Sequence, residues 1–230
     1  MELEERFKSD SIKELISYII GCYMGRYSLD QTGLVYANAN NDGFDHSRYQ
    51  TIPADNDGVI PVTDTAWFPT EDATNRIEEF IAKVWGEDKL QENLSFIANA
   101  LGGKPTETPT EAIRRYMLDG FYKDHTSRYQ KRPIYWMFSS GKNHAFDCLV
   151  YMHRINSQTL ARIRTQFVIK LIDQMQTQLN ALQDAIEATT SASEQRQMNK
   201  DATRLQKQLQ ELLEYDEKLN HAINQKIEID

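Results

Sequence analysis

Apolar residues recur at helical spacing along several stretches of the chain, and breaker residues mark where each stretch ends. Ile12, Leu15, Ile16, Ile19, Ile20 and Tyr23 share one helical face. Ser11 and Glu14 have capping-box spacing at its start, and Gly25 is the expected stop. Residues 26–69 lose this period and hold two short strand-like runs, Leu34-Val35-Tyr36 and Val59-Ile60-Pro61-Val62, among turn residues. Two helices come next. One has the face Ile77, Phe80, Ile81, Val84 and Trp85 and ends near Gly86; the other has Leu90, Leu94, Phe96, Ile97 and Leu101 and ends at Gly102-Gly103. Thr108-Pro109-Thr110-Glu111 then reads as N-cap, N1 proline and N3 glutamate of a helix burying Ile113, Tyr116, Met117 and Phe121.

The period changes at 133–154. Tyr135-Trp136-Met137-Phe138 and Phe146 to His153 are rich in β-formers and flank Ser139-Ser140-Gly141-Lys142-Asn143, which predicts a β-hairpin. No Gly or Pro occurs after Gly141. Leu160, Ile163, Phe167, Leu171, Met175, Leu179, Leu182 and Ile186 form one stripe, and Ala202, Leu205, Leu209, Leu212, Leu219 and Ile223 another. Thr189 to Ser193 lie between them, with Ser191 placed to cap the second helix. The expected fold is α+β and mostly helical. A mixed helical and β-hairpin part spans 1–156, and a long antiparallel, coiled-coil-like helical hairpin spans 157–230.

Charge changes this picture more than composition does. The chain has 230 residues, 40% hydrophobic and 26% charged, with a net charge of -8, which excludes a uniformly basic coat protein. That total hides a segregation. Residues 1–103 carry 8 Lys/Arg against 18 Asp/Glu, residues 104–170 carry 12 against 5, and residues 171–230 carry 6 against 11. Two cysteines exclude a disulfide scaffold and suit a reducing cytoplasm, and Cys22 and Cys148 both sit in apolar runs as inert thiols. No signal peptide or membrane-spanning run is present.

The sequence offers no candidate catalytic, cofactor-binding or metal-ligating residues. There is no CxxC, HxH, HxxxH, G-x-S-x-G, Walker A or G-x-G-x-x-G pattern. The basic middle remains, interleaved with His125, Tyr129, Tyr135 and Trp136. Lys and Arg neutralise phosphates, and a two-stranded ribbon fits the major groove. Lys123, Arg128, Lys131, Arg132 and Lys142 are the candidate phosphate contacts. Asn143, His144 and Arg154 are candidate base contacts. The competing reading makes the aromatics core and the charges solvation.

Several runs carry a family resemblance. They are the stretch from Ser11-Ile12-Lys13-Glu14-Leu15-Ile16 through Met24-Gly25-Arg26-Tyr27-Ser28-Leu29-Asp30, then Pro53-Ala54-Asp55-Asn56-Asp57-Gly58, then Trp85-Gly86-Glu87 with Leu90-Gln91-Glu92-Asn93-Leu94. Phe121-Tyr122-Lys123-Asp124-His125, Lys131-Arg132-Pro133-Ile134-Tyr135-Trp136-Met137-Phe138-Ser139-Ser140-Gly141-Lys142 and Leu149-Val150-Tyr151-Met152-His153-Arg154 come after them in order. Together they resemble the C-terminal half of the PglX family, adenine-specific DNA methyltransferases of BREX phage-defence systems. The family's Asn/Asp-Pro-Pro-Tyr/Phe motif does not occur, since the sequence has no Pro-Pro, and neither does its glycine-containing cofactor motif.

The resemblance therefore implies a non-catalytic C-terminal fragment. S-adenosylmethionine and methyl transfer to adenine N6 would reside upstream in the same polypeptide, and double-stranded DNA would be the partner of this part. A second reading from another class makes the helical hairpin a docking module for other BREX subunits or a phage inhibitor, or a plain spacer. Apolar residues left exposed on the hairpin would support docking.

Overall fold

The computed structural model describes residues 2–226. It is mostly helical with one small antiparallel sheet of three strands, so the α+β expectation holds. The chain forms two compact units. One takes the residues up to Phe138 together with Cys148–Ile155. The other takes Ser139–Asp147 together with the residues from Asn156 onward.

In the first unit, α1 (Glu2–Tyr23) is longer than its apolar face predicts. Ser11 lies inside the helix and does not cap it. Residues 2–10 hold no Gly, Pro or β-branched side chain, so nothing ends the helix there. The stop is the expected one. Gly25 takes φ +80°, its N–H donates to Cys22 O at 3.0 Å, and Arg26 N–H donates to Gly21 O at 2.8 Å. That pair of bonds needs a left-handed residue, which glycine supplies without a Cβ clash.

The segment after α1 is irregular as expected, but Leu34–Tyr36 does not join the sheet. Side chains hold this segment in place. Tyr49 OH donates to Gly25 O, Tyr151 OH donates to Tyr36 O at 2.7 Å, and the Asp30 carboxylate accepts from the amides of Gln50 and Thr51 at 2.6 and 2.9 Å. Backbone groups of a long loop must find such partners if the loop is to stay packed.

The sheet has the order β1 (Val59–Val62), β3 (Asp147–Tyr151), β2 (Tyr135–Ser139). Central β3 is buried at all five positions. Pro61 lies in edge strand β1, where a missing N–H is tolerated. Helices α2 (Ala73–Trp85), α3 (Leu90–Ala100) and α4 (Pro109–Tyr116) bury Ile77, Phe80, Ile81, Leu94, Ile97 and Ile113 in the same core as Ile16, Ile19 and Ile20 of α1.

Thr108 and Glu111 cap α4 reciprocally, as the sequence predicts. Asp72 caps α2 and is fully buried. It accepts from Thr74 N–H at 2.9 Å, from the Thr63 hydroxyl at 2.8 Å and from the Arg114 guanidinium at 2.9 Å. Three residues assigned to buried faces are exposed, namely Val84, Trp85 and Phe96. Phe96 sits two positions from Leu94 and so points away from the stripe; the Lys8 ammonium lies 3.9 Å over its ring. After α4 the helix widens at Met117–Phe121 and continues as α5 (Tyr122–Arg128).

The second unit contains α6 (Thr159–Arg162), a widened turn at Ile163–Val168, α7 (Ile169–Ala188) and α8 (Ala192–Asn224). Ser191 caps α8, its hydroxyl accepting from Glu194 N–H, as expected. Leu171, Met175 and Leu179 of α7 are buried, as are Leu205, Leu209, Leu212 and Leu219 of α8. Arg164 pairs with Asp216 through two bonds of 2.8 and 3.1 Å. Among the described residues no helix is long and apolar enough to cross a membrane.

Candidate nucleic-acid interface

The candidate residues fall in both units, and each unit holds its own set by a distinct device. In the first unit, α5 ends in a turn whose residues Gln130 and Lys131 take φ +51° and +63°. Lys131 N–H donates to Thr126 O at 2.7 Å and Arg132 N–H to Tyr129 O at 2.9 Å. Left-handed backbone costs a non-glycine residue about 1–2 kcal/mol. This strain falls where Lys131 and Arg132 project, both exposed and neither in an ion pair with a described residue.

A buried histidine anchors the chain beyond this turn. The His125 ring is 4% exposed, and Nε2 accepts from the amides of Ile134 and Tyr135, both at 3.1 Å. Burial pushes the imidazole down to about 4, so it is neutral and adds no charge to the basic segment. Its role is to set the entry into β2.

Lys123 and Arg128 are exposed but sit among carboxylates. Arg128 lies 3.7 Å from Glu14. Lys123 lines an open groove of about 720 Å³ with Glu5, Lys8, Tyr116 and the Lys13–Asp124 ion pair of 3.1 Å.

Arg154 departs from the expected base contact. It is 1% exposed, and its guanidinium donates to Asn41 Oδ1 at 2.7 Å, Asp55 O at 2.6 Å and Asn56 O at 2.7 Å while lying 3.8 Å from the Phe44 ring centre. Burial pulls its guanidinium pKa down, and Asp57 and Asp55 oppose that. It ties the irregular segment to the end of β3 and is not offered to bases.

In the second unit the hairpin tip is clasped by one carboxylate. Glu211 of α8 accepts from Ser140 Oγ at 2.7 Å, Asn143 N–H at 2.8 Å, Asn143 Nδ2 at 2.9 Å and Ala145 N–H at 3.2 Å. Gln208 Nε2 donates to Asn143 O at 3.3 Å. Gly141 takes φ +149°, and a Cβ there would meet Glu211 Oε2 at 2.9 Å. The clasp leaves Lys142 exposed with no carboxylate partner among the described residues. Asn143 spends its carboxamide donor on Glu211, and His144 Nδ1 lies 2.5 Å from Asp147 Oδ2. Glu211 carries no signal in the sequence, because one acidic residue on a polar helix forms no pattern.

The helix that follows β1 offers no open N-terminus for a methyl donor. Nucleotide-like cofactors use a free helix N-terminus after a strand. The helix after β1 has its N-terminus filled by the buried Asp72 carboxylate, itself paired with Arg114. Among the described residues no three His, Cys, Asp or Glu side chains are grouped to hold a metal ion. Cys22 is buried, with its thiol pushed up to about 12.

No family model matches the chain. It is 47% identical over 98% of its length to the adenine-specific methyltransferase BrxX of Escherichia coli O9:H4 (strain HS), covering 19% of that protein. It is 42% identical over 95% of its length to the adenine-specific methyltransferase PglX of Lacticaseibacillus casei (strain Zhang), covering 18% of that one. The chain is related to one part of these methyltransferases. It spans about a fifth of the length of BrxX and PglX. Identity at this level over nearly the whole chain places the left-handed turn and the clasped tip inside the region shared with BrxX and PglX.

Proposed function

We propose that this chain is a non-catalytic, DNA-engaging part of a PglX-like adenine-specific DNA methyltransferase of the BREX type. S-adenosylmethionine and the target adenine, flipped from the duplex, would be handled by another part of the same polypeptide. The chain's own task is to hold duplex DNA through phosphate contacts from Lys131, Arg132 and Lys142. Lys123 and Arg128 contribute less because carboxylates flank them.

The observation that carries this reading is the strained turn, which presents Lys131 and Arg132 with no anionic partner among the described residues. Exposed cations at a costly backbone position are better explained by an external polyanion than by solvation. The docking alternative has less to rest on. Along α7 and α8 the one large apolar side chain exposed among the described residues is Leu213, at 42%.

The test is fluorescence anisotropy of the 230-residue chain with a labelled duplex at several salt concentrations. Affinity should fall linearly in log–log salt, and Lys131→Glu with Arg132→Glu should weaken it and flatten the slope by about 2. Absence of binding at low salt would end the DNA reading.

A further inference from the structure

Helix α8 is segregated by charge in a way its net acidity conceals. Its first half holds Arg196, Lys200, Arg204 and Lys207, while Glu211, Glu214, Asp216 and Glu217 crowd the second. The four cations stand at i, i+4, i+8 and i+11, which at 3.6 residues per turn confines them to an arc of about 80° on one face. At about 1.5 Å per residue the stripe runs roughly 16 Å, close to half of one turn of B-DNA. All four are exposed, and none is in an ion pair with a described residue. Asp201, the one acidic residue between Arg196 and Lys207, lies off the stripe and accepts from Gln197.

The stripe leads to the clasped tip. Lys207 and Lys142 line one open groove of about 950 Å³, together with Gln176, Thr203 and Gln210. Glu211 and Glu214 line it too, as do Leu179, Leu209 and Leu213, and the two carboxylates offset the two cations in formal charge. Glu211 holds the tip, and Glu214 accepts from Gln210 Nε2 at 3.0 Å. By formal charge the groove is balanced, so it is the row of cations along the helix, and not the groove, that suits a polyanion.

We propose that the first half of α8 is a phosphate track, on which Arg196, Lys200, Arg204 and Lys207 engage the backbone of the same duplex that passes Lys142. The inference rests on the DNA-engaging reading and adds to it a second, sequence-independent contact surface on the helical hairpin. A regular row of cations matches a polymer of regular charge; an acidic protein would be met by scattered pairs. Phosphate contacts of this kind position the duplex without reading it.

The test replaces all four residues by Gln, a good helix former at exposed positions, with far-UV circular dichroism and Tm as the folding control. Binding of a labelled duplex is measured between about 50 and 200 mM salt. The expected result is a loss of about tenfold or more in affinity at the lower salt and a log–log slope shallower by about 3 to 4, because each phosphate contact contributes about 0.9. Unchanged affinity and slope in the quadruple variant would overturn the track. If the Lys131→Gln, Arg132→Gln variant weakens binding while the α8 variant does not, the DNA reading stands and this inference falls. If the wild-type chain binds no duplex, both fall. Loss of binding to an acidic polypeptide such as polyglutamate, with duplex binding intact, would assign the stripe to a protein and overturn the proposal.

Discussion

Arg154 shows how far a single side chain can depart from what its type suggests. A guanidinium after a strand, in a basic stretch, reads as a ligand for nucleic acid, yet here it spends its donors on Asn41, Asp55 and Asn56. Arg154→Met should cost about 2–4 kcal/mol, because it removes a buried guanidinium that holds two carbonyls and an amide oxygen. Urea denaturation would measure this, and a loss under about 0.5 kcal/mol, the scale of a surface substitution, would contradict it.

Two buried titrations oppose one another. Burial pushes the Asp55 carboxyl up from 3.8 to about 7 even though Arg76 lies against it, and burial pushes His125 down from 6.5 to about 4. In this window the native chain holds a proton on Asp55 that the unfolded chain has lost, and lacks one on His125 that the unfolded chain keeps. Asp55 therefore stabilises at acid pH and loses that contribution as pH rises through about 7. His125 stabilises above 6.5 and loses its contribution as pH falls toward about 4. Asp55→Asn removes the first effect and leaves the second. The variant should lose stability from about pH 7 to about pH 4 more steeply than wild type, by up to one proton of linkage, or about 1.4 kcal/mol per pH unit. Parallel curves in urea titrations across that range would rule this out.

At the scale of elements, the features the sequence discloses and those it hides have a common cause. Helices with a strict apolar period, such as α4 with Ile113 and Tyr116 or α8 with Leu205, Leu209 and Leu212, were legible because burial imposes the period. The start of α1 was not, because Ser11 tolerates a helix interior and no breaker precedes it. The candidate site was legible as a class of charge but not as an arrangement. Lys131, Arg132 and Lys142 are presented to solvent, while His125 and Arg154 are buried, and nothing local in the sequence separates the two groups. The clasp between α8 and the hairpin tip was equally hidden, since Glu211 and Asn143 stand 68 positions apart.

Glu211→Ala removes the acceptor of four bonds and should free the tip without unwinding α8. Amide exchange at Asn143 and Ala145 should accelerate by an order of magnitude or more, with α8 protection unchanged, and global stability should fall by about 1–3 kcal/mol. Unaltered exchange at those two amides would show that the tip is held by other contacts.

At the scale of the whole molecule, a net charge of -8 and a DNA-engaging role are compatible because the charge is sorted along the chain. Cations without a carboxylate partner among the described residues stand at the Lys131–Arg132 turn, at Lys142 and along the first half of α8, while most acidic side chains lie elsewhere in the chain. The acidic remainder repels polyanions from the rest of the surface, so binding should be confined and strongly salt-dependent. The same molecule should ignore the methyl donor, since the sequence has no Pro-Pro motif and the helix N-terminus after β1 is filled by Asp72. Thermal unfolding separates these two statements in one experiment. A duplex at about 100 times its Kd stabilises by about 2.7 kcal/mol, which for a chain of this size raises Tm by about 5–10 °C. That rise should shrink sharply between about 50 and 200 mM salt. S-adenosylmethionine at millimolar concentration should leave Tm where it was at every salt. A shift with the methyl donor would place part of its site in this chain and overturn the assignment of methyl transfer to another part of the polypeptide. A duplex-induced rise that does not respond to salt would mean that the free cations are not what holds the DNA.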